Sequence, residues 1–105
     1  MNLQIFVTDE AANDAITIAE YLADQSNLNT SDRFLIATTR AYRQLASMPG
    51  IGSPRNYGPE FPGLRLWPVP RFPKYLIFYQ ATETDLKIIR VLHGSQNIGR
   101  IFDPP

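Results

Sequence analysis

Gly63-Leu64-Arg65-Leu66-Trp67-Pro68-Val69-Pro70-Arg71-Phe72-Pro73-Lys74-Tyr75-Leu76-Ile77-Phe78-Tyr79-Gln80 is followed, four residues later, by Asp85-Leu86-Lys87-Ile88-Ile89-Arg90-Val91-Leu92-His93-Gly94. Branched and aromatic side chains dominate both segments, and they divide into three strand-like runs at 64–69, 74–80 and 86–92. Thr82-Glu83-Thr84-Asp85 supplies the turn between the last two. Pro68 marks the first run as an edge or bulged strand, because proline gives a ladder no N–H. The third run is apolar on both faces except at Lys87 and Arg90, the pattern of an interior strand. Basic side chains interrupt each run, so a sheet built from them offers a positive surface that suits an anionic partner.

Working outward, Asn2–Val7 is a short apolar run and reads as a further strand. Thr8 or Asp9 then caps a helix that runs to about Gln25, with acids in its first turn where the helix dipole favours them. Its apolar stripe is Ala12, Ala15, Ile16, Ala19 and Leu22 or Tyr21. Residues 26–30 are a turn by composition. Thr30 or Ser31 caps a second helix to about Ser47, with a stripe of Phe34, Leu35, Thr38, Ala41, Tyr42 and Leu45. Arg33, Arg40 and Arg43 lie away from most of that stripe. Residues 48–63 contain four prolines and four glycines and form the longest loop. Residues 94–105 are a tail with a short strand or turn at 98–102. The order β-α-α-β-β-β predicts an α+β fold: one domain over residues 1–105, with a small antiparallel sheet packed against a helical hairpin.

Composition excludes several classes. The chain has no cysteine and one histidine, so neither thiolate nor His-rich metal sites are available, and no metal or cofactor is expected. No apolar run reaches the roughly 20 residues of a membrane span. The start does not read as a signal peptide, so a cytosolic chain without membrane attachment is expected. The net charge of zero is a cancellation: residues 1–32 hold six acids and no Lys or Arg, and residues 33–100 hold all ten bases against three acids. Solvated faces account for most such acidic runs. Eight of the ten bases are arginine, whose planar fork grips carboxylate or phosphate with two hydrogen bonds.

Several short pieces stand in a telling order. They are Ala12, Asp14, Ile18 and Tyr21; the Phe34–Leu45 helix ending in Leu45-Ala46-Ser47-Met48-Pro49-Gly50-Ile51-Gly52; Gly63-Leu64-Arg65; Tyr75–Tyr79; Ile89–Gly94; and Gln96-Asn97-Ile98. In this the chain resembles the RelE/ParE superfamily of type II toxin–antitoxin toxins, on the ParE side. The resemblance implies a small toxin held inactive in a hetero-oligomer by a ParD-like antitoxin. Its cellular target would be DNA gyrase, as for several ParE-type members, or the ribosome, where RelE-type members cut mRNA.

RNA cleavage needs a base for the 2′-hydroxyl, a cation for the phosphorane and an acid for the leaving oxygen. Arg65, Arg90 and His93 are the candidates for these roles, with Arg100 adding charge. Arg65 stands where the resemblance places a strand arginine. Residues 56–64, however, lack the basic cluster of the nucleolytic branch, and the tail after Gly94 has no Tyr or His. This departure favours a toxin that acts by binding, and the surface expected to meet antitoxin or target comprises Arg65, Trp67, Arg71, Lys74, Tyr79, Arg90 and Arg100. Each has a plainer reading. His93 suits a turn, bonded to backbone near Gly94. Arg90, inside an apolar strand, pairs with an acid of the first helix. Trp67, Phe72, Tyr75, Tyr79, Tyr57 and Phe61 fill the core of a small sheet. A non-toxic antitoxin binder and a nucleic-acid adapter are the remaining alternatives.

Overall fold

A computed structural model describes residues 2–103. The elements are β1 (Gln4–Val7), α1 (Asp9–Gln25), α2 (Leu28–Ser47), β2 (Ser53–Pro54), β3 (Arg65–Val69), β4 (Phe72–Ala81), β5 (Asp85–His93) and α3 (Ile98–Phe102). The strands form one sheet in the order β1-β5-β4-β3-β2. β2, β3, β4 and β5 pair antiparallel, whereas β1 runs parallel to β5, with Gln4 opposite Asp85 and Val7 opposite Ile88. The sheet is therefore mixed rather than wholly antiparallel. Tight hairpins force β3, β4 and β5 to alternate, but β1 reaches β5 only through the whole chain and is free of that constraint. Pro68 sits at a register shift in β3, and β5 is interior, between β1 and β4.

Thr8 ties strand to helix. Its hydroxyl donates to the Ile89 carbonyl at 2.8 Å and accepts from Ala11 N–H at 3.1 Å, so one side chain caps α1 and fastens it to β5. α1 turns Ala11, Ala15, Ile18, Ala19 and Leu22 inward and leaves Ala12 and Ile16 exposed, a stripe rotated from the one expected. α2 begins three or four residues before the expected start: Asn27 accepts from Thr30 N–H at 2.8 Å and is the true cap. Phe34, Thr38, Ala41 and Leu45 then face the sheet.

The sheet is covered on both faces. Phe34, Ala41 and Leu45 of the hairpin pack on Val69, Ile77, Tyr79, Ile88 and Val91. On the opposite face Leu64, Leu66, Phe78, Ile89, Leu92 and Phe102 form a second cluster. Residues 98–102 are helical, not the strand or turn expected. Asn97 caps α3, and Phe102 stacks on Tyr57 at 5.2 Å and meets Phe61 edge-on at 5.0 Å. The last part of the tail, Pro104-Pro105, lies outside the described residues.

Candidate functional site

Two of the expected surface residues, Arg65 and Tyr79, face each other across β3 and β4 and hold the turn after α2. The Tyr79 hydroxyl donates to the Pro49 carbonyl at 2.7 Å and accepts from Gly52 N–H at 2.9 Å. The residue is wholly buried, and burial pushes its phenol pKa up, opposed by the Gly52 hydrogen bond and the Arg65 charge. Arg65 donates to the Gly52 carbonyl at 2.7 Å, with the Gly50 carbonyl at 3.4 Å. Trp67, opposite Ile77, packs against the same core, and its indole N–H is buried without an acceptor.

Arg90 and His93 are engaged elsewhere. Asp14 accepts from Arg90 Nε at 2.7 Å and Nη2 at 2.8 Å, and from Val91 N–H at 3.0 Å. That carboxylate pushes the Arg90 pKa further up against the opposing effect of desolvation. His93 Nδ1 accepts from Ser95 N–H at 3.0 Å and lies 2.7 Å from Ser95 Oγ, while the ring meets Tyr75 edge-on at 5.1 Å. Arg71 and Lys74 are exposed at the β3–β4 turn, and Arg100 is exposed on α3, across the sheet. The expected residues thus do not gather on one basic face: two arginines are fixed inward, and the free ones are spread over separate elements. Among the described residues, no three of His, Cys, Asp and Glu are placed to hold a metal. No helix is long and apolar enough to cross a membrane.

A basic groove does exist, between α2 and the β3–β4 turn. It encloses about 540 Å³ and is lined by Arg33, Arg40 and Arg71 around a floor that includes Ile36, Ala37 and Phe72. Phe34 anchors Phe72 from beneath, edge-on at 5.4 Å. The one ion pair among the described residues is Arg90–Asp14, so none of the three groove arginines meets a carboxylate. Among the described residues, Arg33 makes one side-chain hydrogen bond, donated to the Thr30 hydroxyl at 3.4 Å. Sequence reasoning named Arg71 but set Arg33 and Arg40 aside as the outer face of α2. The signal was present in their spacing of seven residues with Ile36 between them, which places all three on one side of a helix.

A family model described as "ParE toxin of type II toxin-antitoxin system, parDE" matches residues 5–98. The chain belongs to the ParE toxin family. The matched span runs from β1 to the first residue of α3, so the ParE match takes in the Tyr79 anchor, the Arg90–Asp14 pair and the α2 groove. No curated protein sequence matches this ParE-family chain. A solved structure described as "Chromosomal ParDE TA system from P. aeruginosa" superposes with a TM-score of 0.70, covering 87% of this chain and 95% of that one. At 16% sequence identity, that likeness speaks for the ParE fold alone.

Proposed function

We infer that this ParE-family chain is the toxin of a type II toxin–antitoxin pair, working in the cytoplasm by binding rather than by catalysis. It arrests growth by occupying a cellular target, for which DNA gyrase is the candidate. A ParD-like antitoxin neutralises it in a hetero-oligomeric complex. Family membership supports the toxin role. One structural observation favours binding over RNA cleavage: Arg65, Arg90 and His93 are each committed to separate internal contacts, on backbone carbonyls, on Asp14 and on Ser95. A nuclease needs its acid, base and cation within reach of one phosphodiester.

Induced expression of the chain should stop growth, and co-expression of the neighbouring gene's product should relieve it. Purified chain should inhibit gyrase supercoiling, and transcripts in arrested cells should stay intact. Normal growth in the presence of abundant folded chain would refute the toxin role. Ribosome-dependent mRNA cuts that vanish in His93→Ala would instead make the chain an endonuclease.

A further inference from the structure

The turn after β5 brings His93 and Ser95 into a contact that target binding does not use. Gln96 N–H donates to the His93 carbonyl at 3.0 Å, His93 N–H donates to Gln96 Oε1 at 2.7 Å, and Gly94 N–H donates to the Lys74 carbonyl at 2.8 Å, so the turn is tied down on both sides. The imidazole rests edge-on against Tyr75 at 5.1 Å, and Phe34 meets that ring in turn at 5.3 Å. Hydrogen bonding also fixes the tautomer. An amide N–H can only donate, and that of Ser95 reaches His93 Nδ1 at 3.0 Å, so Nδ1 holds a lone pair and the ring proton sits on Nε2. The Ser95 hydroxyl, 2.7 Å from the same nitrogen, is therefore the donor in that bond. Ser95 is exposed, and its oxygen has no other partner among the described residues. A hydroxyl whose proton rests on an imidazole lone pair, with the imidazole held by a third group, has the arrangement of an activated nucleophile.

A cavity of about 430 Å³ opens beside the pair, lined by Thr17, Ile18, Tyr21, Tyr75, His93 and Ser95. Ile18 and the two tyrosine rings give it apolar walls, and Thr17 and the phenols bring hydroxyl donors. Burial, and then the neighbouring Tyr21, push the Tyr75 pKa up, so that phenol remains a protonated donor at neutral pH. Among the described residues, no Lys, Arg, Asp or Glu lines the cavity, and this selects the chemistry. A phosphoryl group carries charge that calls for a cation, whereas an acyl carbonyl is neutral until attacked and then needs only hydrogen-bond donors at its oxygen. We propose that Ser95 is a nucleophile that takes an acyl group from a small activated ester, with His93 as its base. A lone pair of Ser95 Oγ forms the new bond to the carbonyl carbon, and the hydroxyl proton passes to His93 Nδ1. The bond from that carbon to the leaving oxygen then breaks. Its electron pair stays with the leaving oxygen, which departs as the anion or recovers the proton from Nδ1. The Tyr21 and Tyr75 hydroxyls, on the wall of the same cavity, serve the carbonyl oxygen as charge gathers on it. The product is an O-acyl ester on the Ser95 side chain.

The probe is p-nitrophenyl acetate, mixed with the purified full chain. Nitrophenolate should appear in a burst of one equivalent per chain, and peptide mapping by mass spectrometry should place the acetyl group on Ser95. Ser95→Ala, a change on an exposed turn, should abolish the burst with Tm unchanged. His93→Gln, which keeps a hydrogen-bond acceptor but no base, should slow it by about 100-fold or more. Should His93→Gln misfold, urea supplies the second measurement: the wild-type burst should vanish along the unfolding transition, because a free serine without its imidazole is not activated. A burst that survives Ser95→Ala overturns the assignment, as does acetyl found on His93, Lys74 or Lys87 in place of Ser95. An unchanged rate in folded His93→Gln, or in the urea-unfolded chain, removes the imidazole from its role and overturns it equally. Neither an antitoxin nor a cellular target enters the assay, so its outcome is read apart from growth arrest.

Discussion

Asp14 serves three donors, and the reason lies in where a strand ends. β1 stops at Val7, so the outer edge of β5 has no strand beside it at Val91. Asp14 accepts that orphaned N–H at 3.0 Å and holds Arg90 with two further bonds at 2.7 and 2.8 Å. With Asp14 14% and Arg90 27% exposed, removing the carboxylate strands a half-buried charge and a backbone donor together. Asp14→Ala should lower unfolding free energy by about 2–3 kcal/mol in urea titrations, and Asp14→Asn, which keeps an acceptor, by clearly less. Gly52 is the second sensitive residue. A Cβ there would overlap the Tyr79 ring and hydroxyl and crowd the Leu66 carbonyl. Gly52→Ala should therefore expel Tyr79 from its seat at a loss of about 2–3 kcal/mol, with a matching fall in Tm. These two residues differ in legibility. An arginine inside an apolar strand announces that it needs an anion, and an acid of the first helix was a named option. Arg65 gave no such notice, because its partners are carbonyls, which every residue carries and no sequence pattern distinguishes.

Among the elements, β1 is the exposed one. Its bonds to β5 are bracketed by Gln4 N–H to Thr84 O and Thr8 N–H to Ile88 O. In a parallel ladder alternate residues face alternate edges, so Ile5 and Val7 point their N–H and C=O groups outward. Residues 2–7 contain no charge and no proline to guard that edge, and Ile5, Phe6 and Val7 are all exposed. The isolated chain should self-associate through this strand. Phe6→Lys should raise the concentration at which sedimentation velocity still finds monomer, with stability changed by no more than about 0.5 kcal/mol. Unchanged self-association in that variant would move the contact elsewhere. Periodicity identified this strand but not its direction, since alternation reports burial and says nothing of the neighbour's polarity. The start of α2 escaped for a related reason. Asn27 and Leu28 stand in a polar run whose composition reads as a turn, and Leu28, 74% exposed, takes no part in the buried stripe of the helix. In α1 two adjacent stripes fit the helical repeat, and the tether of Thr8 and Asp14 to β5 selects the one that is buried.

For the molecule as a whole, sequence order was enough to set a helical hairpin on one face of a sheet, but it left the other face bare. The missing cover comes from α3 and the 57–61 loop, too short and too irregular to show a period, although Tyr57, Phe61 and Phe102 bring aromatic mass to that face. Packing of the helical hairpin on the sheet buries tyrosines of both layers, and this has a consequence for alkaline stability. Tyr42, on α2, has its pKa pushed from 10.0 up to about 12, first by burial and then by the nearby Asp14 charge. Tyr79 and Tyr75 are shifted in the same direction, each chiefly by burial. The unfolded chain releases the Tyr42 proton near its ordinary value, while the folded chain keeps it to about 12. Between those pH values the unfolded state therefore binds fewer protons than the folded one, and stability falls as pH rises. The contribution is complete below pH 10 and exhausted above about 12. Tyr42→Phe removes the ionisation and little of the packing, so urea midpoints of this variant should track the wild type up to pH 9 and exceed it progressively from pH 10 to 11. Midpoint curves that stay parallel through that range would mean that Tyr42 ionises as freely in the folded chain as in the unfolded one.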